Sequence, residues 1–270
     1  MLDKFQAFQA RRGRVQPDNV HHRLNIIASL DPAWQDNRDY YILELVISLA
    51  ILSTVGNITI WLVRHLFADP DVLGKVRAEV EQLLVQSDQG AKPVVELSRL
   101  RESCHWLVAS WYEVLRLHMT GVPRQAINNF ELSGGERIKK GDIILLPMSE
   151  SNRDARLWAD PGEFAPGRFI GDDGKVVYSL TRKVKAFGVA GNMCPGRYHA
   201  FGVIMAVVTS LLLTFDVNAI DGGWAKPVAG GGISGGFDRC ANDVRVELAK
   251  KDEWRHRKLP LEFSRDLFRV

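Results

Sequence analysis

The sequence predicts a mainly α protein with small β-sheets, an α+β chain in which helices dominate. Three observations carry this. An uncharged run of 19 residues, Leu45–Val63, is far longer than a strand. "ESCHWLVASWYEVLRLHM" (Glu102–Met119) repeats apolar residues at helical spacing. Between Arg124 and a second apolar run at Gly196–Phe215, short β-prone pieces alternate with Gly-rich turns.

Taken in order, residues 1–40 form a polar segment of helix and loop, with "QPDN" and "LDPAWQDNRD" as helix-start or loop signals. Residues 41–250 form the core and 251–270 a tail. The apolar run continues as helix to about Phe67. It meets the length rule for a membrane span, but Ser48, Ser53, Thr54, Asn57 and Thr59 give it the polarity of a buried helix in a large α-rich protein. "ADPDVLGKVRAEVEQLLVQ" (Ala68–Gln86) is the next helix, with Asp69 as N-cap and Pro70 at the first helical position. "SDQGAKP" is a loop and "TGVP" ends the Glu102–Met119 helix. "AINNFELSGGERIKKGDIILLP" reads as small hairpins, and Gly196–Phe215 as a buried helix. The "GGGISG" motif has no βαβ unit around it and reads as a turn ahead of a strand at Asp243–Lys251.

Composition excludes several classes. A net charge of +3 over 270 residues gives no reason to expect a nucleic-acid partner. Basic residues cluster in "ARRGR", "TRKVK" (Thr181–Lys185) and "KKDEWRHRK". Three widely spaced cysteines, Cys104, Cys194 and Cys240, are not a disulfide framework, and no CxxC or HxxxH pair suggests zinc. The N-terminus has no apolar h-region, so no signal peptide is expected.

Glu113–Arg116 is an E-x-x-R pattern that recurs at Glu96–Arg99, Glu150–Arg153 and Glu262–Arg265. An i,i+3 surface pair of this kind is worth only a few tenths of a kcal/mol. The copy at 113 sits among Trp106, Leu107, Trp111, Leu115 and Leu117, where a charge pair needs further partners. "PGEFAPGRF" (Pro161–Phe169) offers one in Arg168. Downstream, "KAFGVAGNMCPGRYHAFG" puts Cys194 in a glycine-rich bend directly before the last apolar helix. Such a bend lets backbone N–H groups approach a thiolate, and the helix N-terminus adds positive potential.

"YEVLRLH", "DPGEFAPGRF" and "FGVAGNMCPGRYHA" together resemble the E-x-x-R helix, the P-x-x-F-x-P-x-R-F segment and the haem-binding F-G-x-G-x-R-x-C-x-G signature of cytochrome P450s, in that family's order. The chain looks like the C-terminal, haem-binding half of that fold, similar to fungal secondary-metabolism members. The resemblance implies haem b with Cys194 as the axial thiolate. It implies Arg124, Phe187, Gly188, Gly196, Arg197 and Ala200 at the cofactor, with Arg124 on a propionate. Ala50 and Thr54 stand where the family's oxygen-handling helix carries A-G-x-(D/E)-T, so Thr54 would handle oxygen and proton delivery. Glu113, Arg116 and Arg168 would be the structural cluster.

The sequence departs from the pattern at Ile51 (for glycine), Ser53 (for the acid before the threonine), Ala190 (for glycine, with Gly191 following) and Asn192 (for the basic residue). The chain also has about half the family's length. The function implied is a haem-dependent monooxygenase that uses O2 to oxidise a small, largely apolar metabolite, with electrons from an NADPH-dependent flavoprotein reductase docking near Arg182–Lys185. Two other readings compete. One is a truncated, non-catalytic relative that binds haem weakly or serves as an interaction fragment. The other is a membrane-spanning binding protein using Leu45–Val63. Full-length relatives would sit at the endoplasmic reticulum membrane, and no N-terminal anchor is expected from this sequence. An exposed apolar face, prone to association, is expected where the other half would pack.

Overall fold

The computed structural model describes residues 25–31, 33, 38–86, 93–188, 193–220, 222–234 and 236–262. By contacts the chain divides into Met1–Ser53 and Thr54–Val270. In the first unit, α1 spans residues 25–30 and α2 spans Arg38–Ala50. Ile42, Leu43, Val46 and Leu49 of α2 are exposed. Ile51–Val55 then form a π-helical turn.

The second unit is built on four helices: α3 (Gly56–Ala68), α4 (Pro70–Glu81), α6 (His105–His118) and α9 (Arg197–Thr214). Trp61, Leu62, Leu66, Val76, Leu107, Val108, Ile204 and Val208 fill the space among them. The four-residue α5 (Leu100–Ser103) precedes α6, and the short α7 (Met148–Asn152) and α8 (Tyr178–Thr181) lie between α6 and α9. Among the described residues, two helices are long and apolar enough to cross a membrane, Arg38–Ala68 and Arg197–Thr214. The second has 61% of its apolar window buried inside the protein, as the core helix of a large domain does.

Asp69 caps α4 as its sequence predicts: its carboxylate accepts from the Val72 amide at 3.1 Å, and Pro70 opens the helix. The helix ends earlier than its periodicity suggests, at Glu81. Leu84–Gln86 instead form β1, which pairs antiparallel with β2 (Pro93–Glu96), Leu84 opposite Val95. A strand partner therefore outweighs helix spacing at the end of a short amphipathic run. The loop predicted between them lies largely outside the described residues, as do residues 1–24.

The predicted Glu102–Met119 helix is broken at Cys104, whose backbone (φ −116°, ψ 65°) is not helical. The side chain of Cys104 does not cap α6. Instead Glu79 reaches across from α4, accepting from the Trp106 amide at 2.8 and 2.9 Å and from the Leu107 amide at 3.1 Å. Those are the orphan donors of a helix start, and a carboxylate there also meets the positive end of the helix dipole. Partial burial raises the Glu79 pKa against these bonds. Glu79→Ala should lower unfolding free energy by about 1–2 kcal/mol in urea titrations. A loss below about 0.3 kcal/mol would show that water caps the helix equally well.

The β pieces are small, as expected. β3 (Val122–Gln125) pairs antiparallel with β6 (Ile143–Leu146), and β4 (Phe130–Glu131) with β5 (Arg137–Ile138). β7 (Phe215–Ala219) pairs with β10 (Val246–Lys250). The glycine-rich "GGGISG" is not a simple turn: Ala229–Ser234 form β8, paired antiparallel with β9 (Phe237–Cys240). Glycine here permits close approach, since a Cβ on Gly230 would stand 2.8 Å from the Ala241 methyl. In the tail, Trp254 is buried and β11 (Leu261–Glu262) joins β2 in parallel. Apolar side chains are exposed on the β3–β6 ribbon, where Ile143 and Leu145 share one face, and Ile127, two residues after β3, is 78% exposed.

Candidate functional site

α6 brings Glu113 and Arg116 onto one face, three residues apart, and both are fully buried. Arg116 donates to both Glu113 oxygens, Nε to Oε2 at 2.7 Å and Nη2 to Oε1 at 2.9 Å. Its remaining donors go to backbone carbonyls: Nη1 to Asn152 and Pro161, both 2.8 Å, and Nη2 to Glu163 at 3.1 Å. All five guanidinium hydrogens are therefore used.

Arg168 closes the cluster from the 3-10 turn Pro166–Phe169, with Nε 3.0 Å from Glu113 Oε1. The Ala165 amide donates to the same oxygen at 2.9 Å. Arg168 also reaches the Ala159 carbonyl at 2.7 Å, next to Asp160, whose backbone takes a left-handed φ of 44°. The Glu-Arg-Arg triad expected from sequence is thus assembled, and it ties α6 to the proline-rich loop. The other E-x-x-R copies differ. Glu96 and Arg99 form a 3.8 Å pair that is exposed, and Arg153 pairs with Asp238 at 3.6 Å rather than with Glu150. Arg265 lies outside the described residues.

The loop leading to Cys194 is described up to Gly188 and again from Met193, so Ala190, Gly191 and Asn192 fall outside. Phe187 and Gly188 take left-handed backbones, φ 62° and 100°. For phenylalanine that costs about 1–2 kcal/mol, so surrounding contacts must hold it. They are present: the Phe187 ring stacks 6.2 Å from Trp111 of α6, and the Phe187 carbonyl accepts the Cys194 amide at 2.6 Å. Gly196 is the N-cap residue of α9, close enough that a Cβ there would sit 3.8 Å from Cys194 Sγ. Ala200 lies one turn further on. Arg197 donates to the Cys194 carbonyl at 2.9 Å and to Tyr198 Oη at 2.6 Å.

Arg124, on β3, donates to the Pro123 carbonyl at 3.2 Å, and among the described residues it pairs with no carboxylate. Ser53 and Thr54 lie in the π turn, where the Ser53 hydroxyl meets the Ala50 carbonyl at 3.4 Å.

The three cysteines are chemically distinct, and this tests whether the residues fit a haem. Cys104 is buried, and burial pushes its thiol well above the ordinary range. Cys240 is half-buried beside Asn242. Cys194 is exposed, unpaired and set at the start of a long helix. It is the exposed one of the three, accessible to an external iron, and Arg124 is a cation suited to an anionic edge. The residues fit the group.

Two features escaped the sequence reading. Asn152, fully buried, holds both backbone groups of Lys185. His65 and His118 meet Nε2 to Nε2 at 2.8 Å inside the core, packed on Trp61 and Phe164. Neither had a spacing signal, because each partner is more than 30 residues away along the chain.

The buried Glu113–Arg116–Arg168 cluster and the cysteine at the start of a long helix are the features whose sequence segments resemble cytochrome P450s. Comparison with known sequences gives the family. The chain matches the cytochrome P450 family model over residues 8–232. It is 28% identical over 226 residues to cytochrome P450 monooxygenase nodJ of Hypoxylon pulicicidum, covering 79% of this chain and 44% of that protein. It is 31% identical to cytochrome P450 76C4 of Arabidopsis thaliana (72% and 37%) and 31% to ferruginol synthase of Salvia pomifera (58% and 33%). This chain belongs to the cytochrome P450 family, and it spans less than half the length of these relatives.

Proposed function

We propose that this chain is the haem-binding half of a monooxygenase acting on a small, largely apolar metabolite in secondary-metabolite biosynthesis. The observation that carries the proposal is Cys194, the exposed thiol at the head of α9, reached by a loop whose strained Phe187 is braced on the Glu113 helix. Haem b, ligated by the Cys194 thiolate, would supply activation of molecular oxygen. The chain's own residues would hold and orient it. The peptide groups around Gly188 and Gly196 would surround the sulfur, and Ala200 would leave room for the porphyrin beside α9. Arg124 would bind a propionate, and Arg197 would steady the loop through the Cys194 carbonyl.

Thr54 would serve oxygen handling and proton delivery, with Ser53 in place of the usual carboxylate. Electrons would come from an NADPH-dependent flavoprotein reductase docking on the exposed Arg182, Lys183 and Lys185 just before the loop. By analogy with its full-length relatives, this chemistry would take place at the endoplasmic reticulum membrane. Ile51, Ser53 and the chain's share of its relatives' length support a second reading, a non-catalytic relative that binds haem weakly or acts as an interaction fragment.

The test is the reduced carbon-monoxide difference spectrum of the chain incubated with haem. Wild type should give the strongly red-shifted Soret band of thiolate ligation, and Cys194→Ser should lose it entirely. A band typical of a histidine or thiol ligand in wild type would refute the thiolate assignment.

A further inference from the structure

We propose that Asn152 is the positioning residue through which the buried Glu-Arg cluster sets the Cys194 loop, an inference that rests on Cys194 being the thiolate ligand. Asn152 ends α7 and is fully buried. Its carboxamide treats Lys185 as a neighbouring strand would. Oδ1 accepts the Lys185 amide at 2.7 Å, and Nδ2 donates to the Lys185 carbonyl at 2.9 Å.

The backbone carbonyl of Asn152 is in turn taken by Arg116 Nη1 at 2.8 Å. One residue is therefore gripped from both sides, by the arginine of the cluster and by the segment that leads to the loop. Lys185 lies two residues before Phe187, whose carbonyl receives the Cys194 amide. A continuous set of polar contacts, buried from Glu113 to Asn152 and part-buried at Lys185, runs through Arg116 to the segment that carries Phe187 and Cys194.

Side-chain chemistry narrows the choice at 152. The task needs one donor and one acceptor at fixed separation on a short stem. Aspartate keeps the acceptor and loses the donor. Leucine loses both and leaves an amide and a carbonyl of Lys185 without partners. The Lys185 side chain takes no part, since only its backbone is held and its side chain is exposed. Position 185 can therefore vary without releasing the loop, whereas position 152 cannot. The clamp also accounts for how the left-handed Phe187 is maintained: its ring is fixed by Trp111 and the chain two residues upstream by Asn152.

The experiment uses the full chain as wild type, Asn152→Leu, Asn152→Asp and Lys185→Ala. Three quantities are read: amide hydrogen exchange, the rate of Cys194 alkylation by iodoacetamide resolved by peptide mass, and the thiolate share of the reduced carbon-monoxide spectrum with haem. In Asn152→Leu the Lys185 amide should exchange about 10-fold faster while the α6 amides keep their protection. Cys194 alkylation should change by at least about threefold, and the thiolate share should fall by a similar factor. Lys185→Ala should match wild type in all three.

Unchanged alkylation and thiolate share in Asn152→Leu would overturn the proposal, even if Lys185 exchange rises. If that variant loses α6 protection and so unfolds, Asn152→Asp decides. A slow Lys185 amide with a reduced thiolate share and altered alkylation supports the clamp, and wild-type values overturn it. No thiolate band in wild type would refute the ligand reading alone, and the alkylation rates would still settle whether Asn152 positions Cys194.

Discussion

Arg116→Leu is expected to lower the unfolding free energy by about 3–5 kcal/mol, the largest effect of any single substitution considered for this chain. The reason is the asymmetry of buried charge. Glu113 and Arg116 are each fully buried, and desolvating them is tolerable because every guanidinium hydrogen and both carboxylate oxygens are engaged. Removing the arginine leaves the carboxylate with Arg168 and one amide, takes the arginine donor from the Asn152 and Pro161 carbonyls, and leaves the Glu163 carbonyl only its longer bond from Arg168 at 3.5 Å. Arg116→Lys should also destabilise, because three donors on a flexible stem cannot replace five in a planar fork.

The matched comparison is Arg99→Leu, in a pair of the same i,i+3 spacing at 3.8 Å on the surface. There the expected loss is below about 0.5 kcal/mol. Equal losses in the two variants, measured by urea unfolding, would mean that burial does not distinguish the two copies of the motif.

The second large effect is acid destabilisation through the histidine pair. His65 is brought down to about 3 and His118 to about 2, in each case chiefly by burial. Lys226 and Arg64 add to the effect at His65, and His65, Arg153 and Arg116 at His118. No acid is among the groups that act on either ring, and Lys226 and Arg153 are themselves paired, with Glu163 and Asp238. His118 Nδ1 is enclosed and has no hydrogen-bond partner among the described residues, so a proton there finds no acceptor among them.

In the unfolded chain an imidazole titrates near about 6.5. Above that pH both states hold neutral rings and the pair has no effect on the pH dependence. As pH falls from about 6.5 towards 3, the unfolded chain binds protons that the folded chain refuses. Stability is then lost by up to about 1.4 kcal/mol per pH unit for each ring. By pH 4.5 the two together should cost about 3–5 kcal/mol. Glu79, whose folded pKa is raised, acts with the opposite sign and offsets part of this. A His65→Phe/His118→Phe variant should flatten the slope of urea midpoint against pH between 6.5 and 4.5. An unchanged slope in that variant would place the acid sensitivity elsewhere.

The corrections to the sequence reading share one cause. The helix over Ala68–Gln86 ends at Glu81 because Leu84 has a strand partner at Val95, and the helix over Glu102–Met119 restarts after Cys104 because Glu79 of another helix caps it. The glycine run became β8 because Phe237–Cys240 lies alongside it. Helical periodicity and N-cap chemistry are local, so Asp69, Pro70 and the apolar faces of α6 and α9 were legible. Partners supplied from distant parts of the chain were not.

The same division holds at the candidate site. The sequence alone determined the α-dominated class, the family, the Glu113–Arg116–Arg168 set and the singular place of Cys194. These are residue types at fixed spacings with a physical reason to be there. Only the tertiary structure decided that Glu113 and Arg116 carry no solvent exposure, that Phe187 is held left-handed against Trp111, that Asn152 grips Lys185 and that two histidines meet in the core. Hydrogen bonds between residues far apart in the chain leave no period in the sequence. Their partners become neighbours only when burial of the apolar helix faces brings those elements together.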